Sequence, residues 1–347
     1  RVDLRIVDDA EFGAALQYFT GSKAHNVEVR NRAIDQGLTL NEYGLFDVSD
    51  VADPDAGQRV GDRVAGETEA GVYEALGMDP VPPELREDTG EVAAAAEGEL
   101  PELVETGDLG GDLHTHTEWS DGAFTIDEMV VAAAERGYEF HAVTDHAAGP
   151  GIFGNTGLDE AEIREQAAAV EAAREELADD HAIEVLHGIE ANIDAEGAIT
   201  TDDEVLAELD IVVASPHSAL DAGSDAATER LVRAVEHPEV DVLGHPTGRI
   251  INSRQGLAPD MAAVAAAAAR EGVAIEVNAN PARLDADGAA VRAAVEADAT
   301  IAVNTDAHSP RELDNARYGV HTARRGWAER ADVLNARSVE GLREFLG

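Results

Sequence analysis

The chain has 347 residues, no cysteine, and 25 basic residues against 71 acidic ones, a net charge of −46. That length buries a sizeable core in one large domain or two smaller ones, and the lack of cysteine excludes disulfide frameworks, thiolate nucleophiles and zinc ribbons. No run approaches the roughly 20 apolar residues of a membrane span, and Arg1-Val2-Asp3-Leu4-Arg5 opens as a charged strand pattern rather than a signal peptide, so a cytoplasmic protein is expected.

In chain order, RVDLRIV reads as a strand, a helix runs from Asp9 to about Tyr18, and a second helix fills TGSKAHNVEVRNRAIDQG up to Gly37. LTLNEYGLF follows with the period-two alternation of strands. From about Val51 to Gly111 the chain is acidic and rich in Gly, Pro and Ala. Its clearest break is PVPPELRE, and one short helix, ETEAGVYEALG, interrupts it. This stretch reads as the end of a small domain plus a linker.

From Gly111 onward the texture becomes a regular alternation. Short β-branched runs lie near Gly111–His116, Phe140–Asp145, Ile183–Glu190, Ile211–Pro216, Val240–His245, Val273–Ala279 and Thr300–Thr305. Between them lie helical segments such as IDEMVVAAAERG and MAAVAAAAAREG, each stopped by glycine. Seven strands alternating with helices predict an α/β domain with a parallel sheet, of the size of one β/α barrel; an open doubly wound sheet is the alternative.

The acidity has two competing explanations. Disorder conflicts with 44% hydrophobic residues and clear periodicities. Life in molar salt fits better: Lys23 is the single lysine, acids abound, and a Debye length of about 3 Å screens self-repulsion. A halophilic origin is therefore expected, and the negative charge does not exclude a nucleic-acid partner.

Histidines and acids cluster where the predicted strands end: His114 and His116 with Asp121, Asp145 with His146, His187 with Glu190, His217, His245, and Asp306 with His308. In a parallel barrel the carboxyl ends of the strands form the catalytic face. Residues two apart on a strand share a face, and barrel closure makes the first and last strands neighbours, so the His114/His116 and Asp306/His308 pairs would meet. Imidazole and carboxylate are ligands of Zn, Mn and Fe, and nine of them exceed one tetrahedral shell. Two or three metals so held suit phosphoester hydrolysis.

Taken singly, each motif has a plainer reading. HxH can be a buried hydrogen-bonded pair, TDH a turn and helix cap, GHP a loop. Their recurrence in phase with the fold favours a metal site. Asp145 is expected to support ligands rather than bind metal. His187 is left open between such support and core packing. His25, His141, His181, His237 and His321 read as surface or packing residues.

GDLHTHTEWSDG, AVTDH, HGIE, ASPHS, GHPTGR and VNTDAHS resemble, in order and spacing, the motifs of the polymerase-and-histidinol-phosphatase (PHP) domain. The resemblance implies a distorted seven-stranded β/α barrel with a trinuclear centre. Its ligands would be His114, His116, Asp121, His146, Glu190, His217, His245, Asp306 and His308. The segment RVDLRIVDDAEFGAALQYFTGSKAHNVEVRNRAIDQGLTLNEYGLF resembles the last palm strand and thumb of a family X DNA polymerase, a small α+β segment. That likeness implies Asp3 as the third catalytic carboxylate. It places Tyr18, Phe19, Gly21, Asn26 and Arg30 against the incoming nucleotide or template.

The expected division is residues 1–85 for the palm end and thumb, 86–110 for a linker and 111–347 for the PHP domain. The D-x-D carboxylates of the polymerase are not in the chain, so polymerisation by this chain alone is not expected. A longer enzyme, a split gene or a separate N-terminal chain would supply them. The expected activity is 3′–5′ exonucleolytic hydrolysis of gapped or single-stranded DNA ends, with 3′-phosphatase or abasic-site cleavage beside it. Asp306, His217, Glu190 and Arg249 are the expected catalytic residues, with Arg254 near Arg249 as a further cation. Manganese is the expected activating metal, zinc and iron the alternatives. A small-molecule phosphatase and a non-catalytic polymerase tail are the rival readings.

Overall fold

A computed structural model describes the chain apart from Arg1, Asp3, Phe153, Asn155 and Asp179, with Asp55 described in its backbone only. The catalytic carboxylate expected at Asp3 thus lies outside the described residues. The chain divides into two compact units, Arg1–Pro101 and Glu102–Gly347.

The first unit holds α1 (Phe12–Tyr18), α2 (Lys23–Asp35), an antiparallel sheet of β1 (Leu38–Asn41), β2 (Gly44–Asp47) and β3 (Asp62–Ala65), then α3 (Glu69–Ala75) and α4 (Glu91–Glu97). Ser22 caps α2 by accepting the His25 N–H, and Gly37 closes it at φ +74°. The strand expected over residues 1–7 does not form among the described residues. Leu4 and Ile6 stay 88% and 89% exposed, and a strand persists only where a neighbour takes its hydrogen bonds.

The expected linker over 86–110 is instead largely structured. Arg86 is buried, donating Nε and Nη2 to the Val81 carbonyl at 3.0 and 2.9 Å. On α4, Val92 and Ala95 are buried, and Glu91 meets His25 Nδ1 at 2.6 Å. Beyond Pro101, Val104 N donates to the Ala328 carbonyl at 3.0 Å, which ties it to the second unit. Acidic, proline-rich composition resembled a linker, but a few apolar anchors suffice to bind such a segment down.

The second unit is built on seven parallel strands: β4 (Gly111–Asp112), β5 (Phe140–Val143), β6 (Glu184–Asn192), β7 (Ile211–Ser215), β8 (Val242–Leu243), β9 (Ala274–Asn278) and β10 (Ile301–Asn304). Their spatial order is sequential from β4 to β10, and all pairings are parallel. Helices α5 (Ile126–Glu135), α6 (Glu160–Leu177), α7 (Asp203–Leu206), α8 (Ser224–Val235), α9 (Met261–Glu271), α10 (Gly288–Glu296), α11 (Ala316–Arg325) and α12 (Val339–Leu346) complete it. Capping boxes at Thr125/Glu128 and Asp159/Glu162 start α5 and α6.

The sheet curls until its ends meet. Thr115 and Ala307 form a parallel bridge, with His116 N donating to the Ala307 carbonyl at 2.8 Å. Below that bridge, side chains replace the ladder. Asp112 accepts the Thr305 N–H and hydroxyl, Asn304 Oδ1 accepts the Leu113 N–H, and Asn335 donates to the Gly111 carbonyl. The result is a nearly closed, distorted barrel, not an open sheet.

Period two along the strands divides barrel interior from exterior. Inward positions Leu113, Phe140, Ala142, Leu186, Val213, Val242, Ala274 and Ala302 form one apolar cluster, with Leu334 and Leu342 packed into it. Outward positions Ile189, Val212, Leu243, Ile275, Val277 and Val303 pack against Leu231, Val264, Val291 and Val320 of the helices. On the inward face the chemistry changes toward the carboxyl ends: Leu186 leads to Glu190 and Asn192, Ala274 to Glu276 and Asn278, Ala302 to Asn304. The barrel is oily at one end and ionisable at the other.

Candidate metal centre

Glu190 is the hub. Fully buried, it meets five imidazoles: His245 Nε2 at 2.8, His217 Nε2 at 3.1 and His114 Nε2 at 3.4 Å on Oε1, with His146 Nδ1 at 2.6 and His116 Nε2 at 3.7 Å on Oε2. Asp306 Oδ1 lies 3.1 Å from His116 Nε2. Toward solvent, Asp121 Oδ1 stands 3.1 Å from His308 Nε2 and 3.6 Å from His146 Nε2. All nine residues expected to bind metal therefore converge. The site grades from fully buried His114 and His116 to Asp121 and His308, whose side chains are 38% and 31% exposed.

Three groups of these residues bring their ligand atoms within 4.8 Å of one another: His116, Asp121, His146 and His308; His114, His116 and Glu190; His146, Glu190 and His217. They share His116, His146 and Glu190, so the three groups adjoin one another. Several ring nitrogens here are buried and, though close to carboxylate oxygens, not angled for a hydrogen bond: His114 Nε2, both nitrogens of His116, His146 Nδ1 and His217 Nε2, alongside Glu190 Oε2. Such atoms are costly in a folded interior unless a cation or donor meets them. Neutral imidazole and carboxylate are the donor types that Mn, Zn and Fe accept, so the residues fit divalent metals.

The electrostatics agree. Burial raises the Glu190 carboxyl, yet His217, His146 and His114 hold it well below the usual carboxylate range. His116 is pushed down to about 4 by burial and by neighbouring His146 and His308. Burial disfavours the His146 cation as well, but Glu190 and Asp121 outweigh it and raise the group to about 10. So many facing imidazoles compete for few carboxylate oxygens, and metal ions relieve that competition better than protons do.

A second ring of residues orients the candidate ligands. Asn192 Nδ2 donates to the Ala147 carbonyl at 2.8 Å, leaving its Oδ1 to accept from His217 Nδ1 at 2.8 Å and aiming Nε2 at Glu190. His308 Nδ1 donates to the Asp306 carbonyl at 2.9 Å. Asp145 accepts from Thr117 N, Thr117 Oγ1 and Gln166 Nε2 at 2.7, 2.6 and 2.6 Å, and also from Ser120. It shapes the loop leading to Asp121, the supporting place expected for it. His187 is buried and faces Gln166 Oε1 at 3.3 Å, which resolves its two readings toward packing beside that support. Asp306 itself sits at φ +54°, a backbone region that only a few residue types tolerate.

Glu276 went unrecognised in the sequence. Buried at the inward face of β9, it accepts from His114 Nδ1 at 2.7 Å and from the His245 N–H at 2.7 Å. A usable signal existed: an ionisable residue in the middle of the buried strand AIEVN.

Arg249, one of the expected catalytic residues, is committed elsewhere. Its Nε donates to the Arg283 carbonyl at 2.9 Å, Nη2 to the Leu284 carbonyl, and Nη1 lies 3.2 Å from Asp287. Three nearby acceptors outcompete a distant anion. Arg283 approaches the centre instead, with Nε 3.5 Å from Asp306 Oδ2 and Nη1 buried without a partner.

In the first unit, Tyr18, Phe19, Gly21, Asn26 and Arg30 line one cleft together with Gln17 and Lys23. Asn26 accepts from Gln17 Nε2 at 2.9 Å and donates to the Tyr18 carbonyl at 3.1 Å. Gly21 has φ +94°, and a Cβ there would meet Arg86 Cβ at 2.5 Å, so only glycine fits.

The fold and this site define a metal-dependent phosphoesterase architecture, and comparison with known proteins agrees. Residues 112–280 match the PHP domain and residues 15–87 the DNA polymerase beta thumb. The chain is 30% identical over 251 residues to the "Probable phosphatase" of Edwardsiella ictaluri (strain 93-146), across 68% of this chain and 93% of that protein. It is 38% identical over 345 residues to the "DNA polymerase/3'-5' exonuclease PolX" of Bacillus subtilis (strain 168), across 99% of this chain and 58% of that protein. It thus spans less than two thirds of that relative's length. The crystal structure of histidinol phosphate phosphatase from Lactococcus lactis, complexed with zinc, L-histidinol and phosphate, overlaps at a TM-score of 0.42 and 16% identity, across 62% of this chain and 93% of that one. The chain belongs to the PHP family, with a polymerase-beta-type thumb ahead of the PHP domain. That order of parts corresponds to the C-terminal region of a bacterial family X DNA polymerase. Among the described residues no helix is long and apolar enough to cross a membrane.

Proposed function

We propose that the second unit hydrolyses phosphodiester bonds at DNA 3′ ends as a 3′–5′ exonuclease. The observation that carries this is the convergence of Glu190 with five imidazoles in a chain that also carries a polymerase-type thumb. Divalent metals held by the nine residues would supply an activated water and offset charge on the attacked phosphate. Glu190 and Asp306 bring the anionic oxygens, and His217, aimed by Asn192, completes the set beside Glu190. Arg283 takes the role first expected of Arg249, offering its unpartnered Nη1 to a phosphate oxygen.

Manganese is the metal of activity in this reading, and molar salt the working medium. The thumb-like unit contributes DNA contacts, and a polymerase part from a longer or a separate chain completes the nucleotide-transfer site. The likeness to proteins named phosphatases keeps a small-molecule phosphatase as the second reading.

A 3′-labelled oligonucleotide, a 3′-phosphorylated oligonucleotide and histidinol phosphate, each offered with Mn, Zn or Fe(II) in high salt, separate these readings. Metal-dependent release of mononucleotides from the 3′ end supports exonuclease. Turnover of histidinol phosphate alone overturns it in favour of the phosphatase.

A further inference from the structure

Downstream of His245 the chain forms a small hairpin. Ile250 and Arg254 pair across it, each N–H donating to the other's carbonyl at 2.8 Å. Asn252 turns the chain at φ +63°, and residues 251–255 are all exposed. The hairpin is nevertheless anchored beside the site. Ile251 N donates to the Ala282 carbonyl at 2.7 Å, one residue before Arg283. A cleft of about 530 Å³ runs along residues 249–255.

The charge at this place is anomalous. In a chain with 71 acidic and 25 basic residues, Arg254 has its charge disfavoured by burial and by the neighbouring Arg283 guanidinium. Arg254 gives its Nε to the Gly248 carbonyl at 2.7 Å and, among the described residues, pairs with no carboxylate. Arg283 leaves Nη1 buried and unpartnered. Two cations left side by side with spare donors form a seat for anionic oxygens. Arg283 adjoins Asp306, and the hairpin that carries Arg254 is tied to the residue before Arg283. A phosphomonoester has one phosphate for such a pair; a nucleic-acid strand has the scissile phosphate and the next one along.

We propose that hairpin 250–254 is a second phosphate subsite, in which Arg254 holds the internucleotide phosphate 5′ to the scissile one while exposed Ile251 packs on the adjoining sugar or base. This rests on the reading of the centre as a DNA phosphodiesterase and names the element that selects a strand over a single phosphate ester.

The test compares two substrates on the full chain loaded with manganese: thymidine 5′-monophosphate p-nitrophenyl ester, with one phosphate, and a pentathymidylate. For Arg254→Gln the kcat/KM ratio of oligonucleotide to ester should fall about tenfold, the worth of one charge-assisted contact, chiefly through KM. The salt slope of oligonucleotide binding should flatten by about 0.7, as for one lost contact to a single strand. Arg254→Lys, which keeps the charge, should restore most of both. An equal fall on both substrates, or an unchanged salt slope, overturns the subsite and marks Arg254 as a brace for Gly248. Wild-type cleavage of the ester without any of the pentathymidylate overturns the DNA reading itself, a result distinct from the other two.

Discussion

His114 and Glu276 are 162 residues apart in sequence, yet the imidazole Nδ1 lies 2.7 Å from Oε1, with both side chains fully buried. The other carboxylate oxygen accepts the His245 backbone N–H at 2.7 Å. One side chain of β9 thus fixes the ligands of two other strands and turns His114 Nε2 toward Glu190. Glu276→Gln should keep the fold, by circular dichroism, and lower metal affinity about 10- to 100-fold, the usual effect of losing an orienting carboxylate. Metal content after gel filtration, read by mass spectrometry, checks this, and full occupancy in the variant would remove the role assigned to Glu276.

Asp306→Asn and His116→Ala strike the ligands directly. Each should abolish metal-dependent hydrolysis nearly completely while the barrel remains folded, because its apolar end is built from other residues. Chelation of the wild type should lower its melting temperature as well, since a bound cation stabilises the state that holds it. Undiminished turnover in either purified variant would exclude the residue from the centre.

Arg249 and Arg283 should separate kinetically. Arg283→Ala is expected to lower kcat at least about tenfold through loss of a charged contact to phosphate. Arg249→Ala releases the 283–287 loop from its three anchors, so it should lower the melting temperature and slow turnover less than Arg283→Ala does. A larger kcat loss from Arg249→Ala would return the phosphate contact to Arg249.

Asp241 provides a pH test away from the centre. Its Oδ2 accepts the Val212 N–H at 2.8 Å, but burial dominates and pushes the carboxyl up to about 7. An unfolded aspartate titrates near about 3.9. Between those values the folded state holds a proton that the unfolded state has lost, so stability falls as pH rises from about 4 to about 7 and levels off above. Asp241→Asn should remove that slope. Melting temperatures of both proteins across the window, at constant salt, decide it; parallel curves would refute the shift.

Salt dependence tests the reading of the charge. Raising KCl from about 0.1 M to about 1 M shortens the Debye length from about 10 to about 3 Å. With 71 acids and a net charge of −46, the melting temperature should climb steeply over that range. A flat profile would leave the composition without this explanation.

The sequence by itself determined the repeating strand and helix pattern of the barrel and the positions of the histidines and acids that gather at its strand ends. Both depend on short-range periodicity: glycine stops, capping boxes, and residues two apart sharing a face. His114/His116 and Asp306/His308 were legible as pairs for that reason. Only the tertiary structure decided what meets across the barrel. Whether Arg249 or Arg283 turns to the centre depends on which carbonyls the loop 283–287 presents, and no local pattern encodes that. Glu276 was hidden because a lone acid in an apolar strand acquires meaning only when His114 arrives opposite it. The segment 86–110 was misjudged for the same cause: composition records average polarity, while anchoring depends on where Val92, Ala95 and Val104 find a cavity to fill. Long-range contact is set by closure of the chain in three dimensions, and it is closure that turned scattered histidines into one centre.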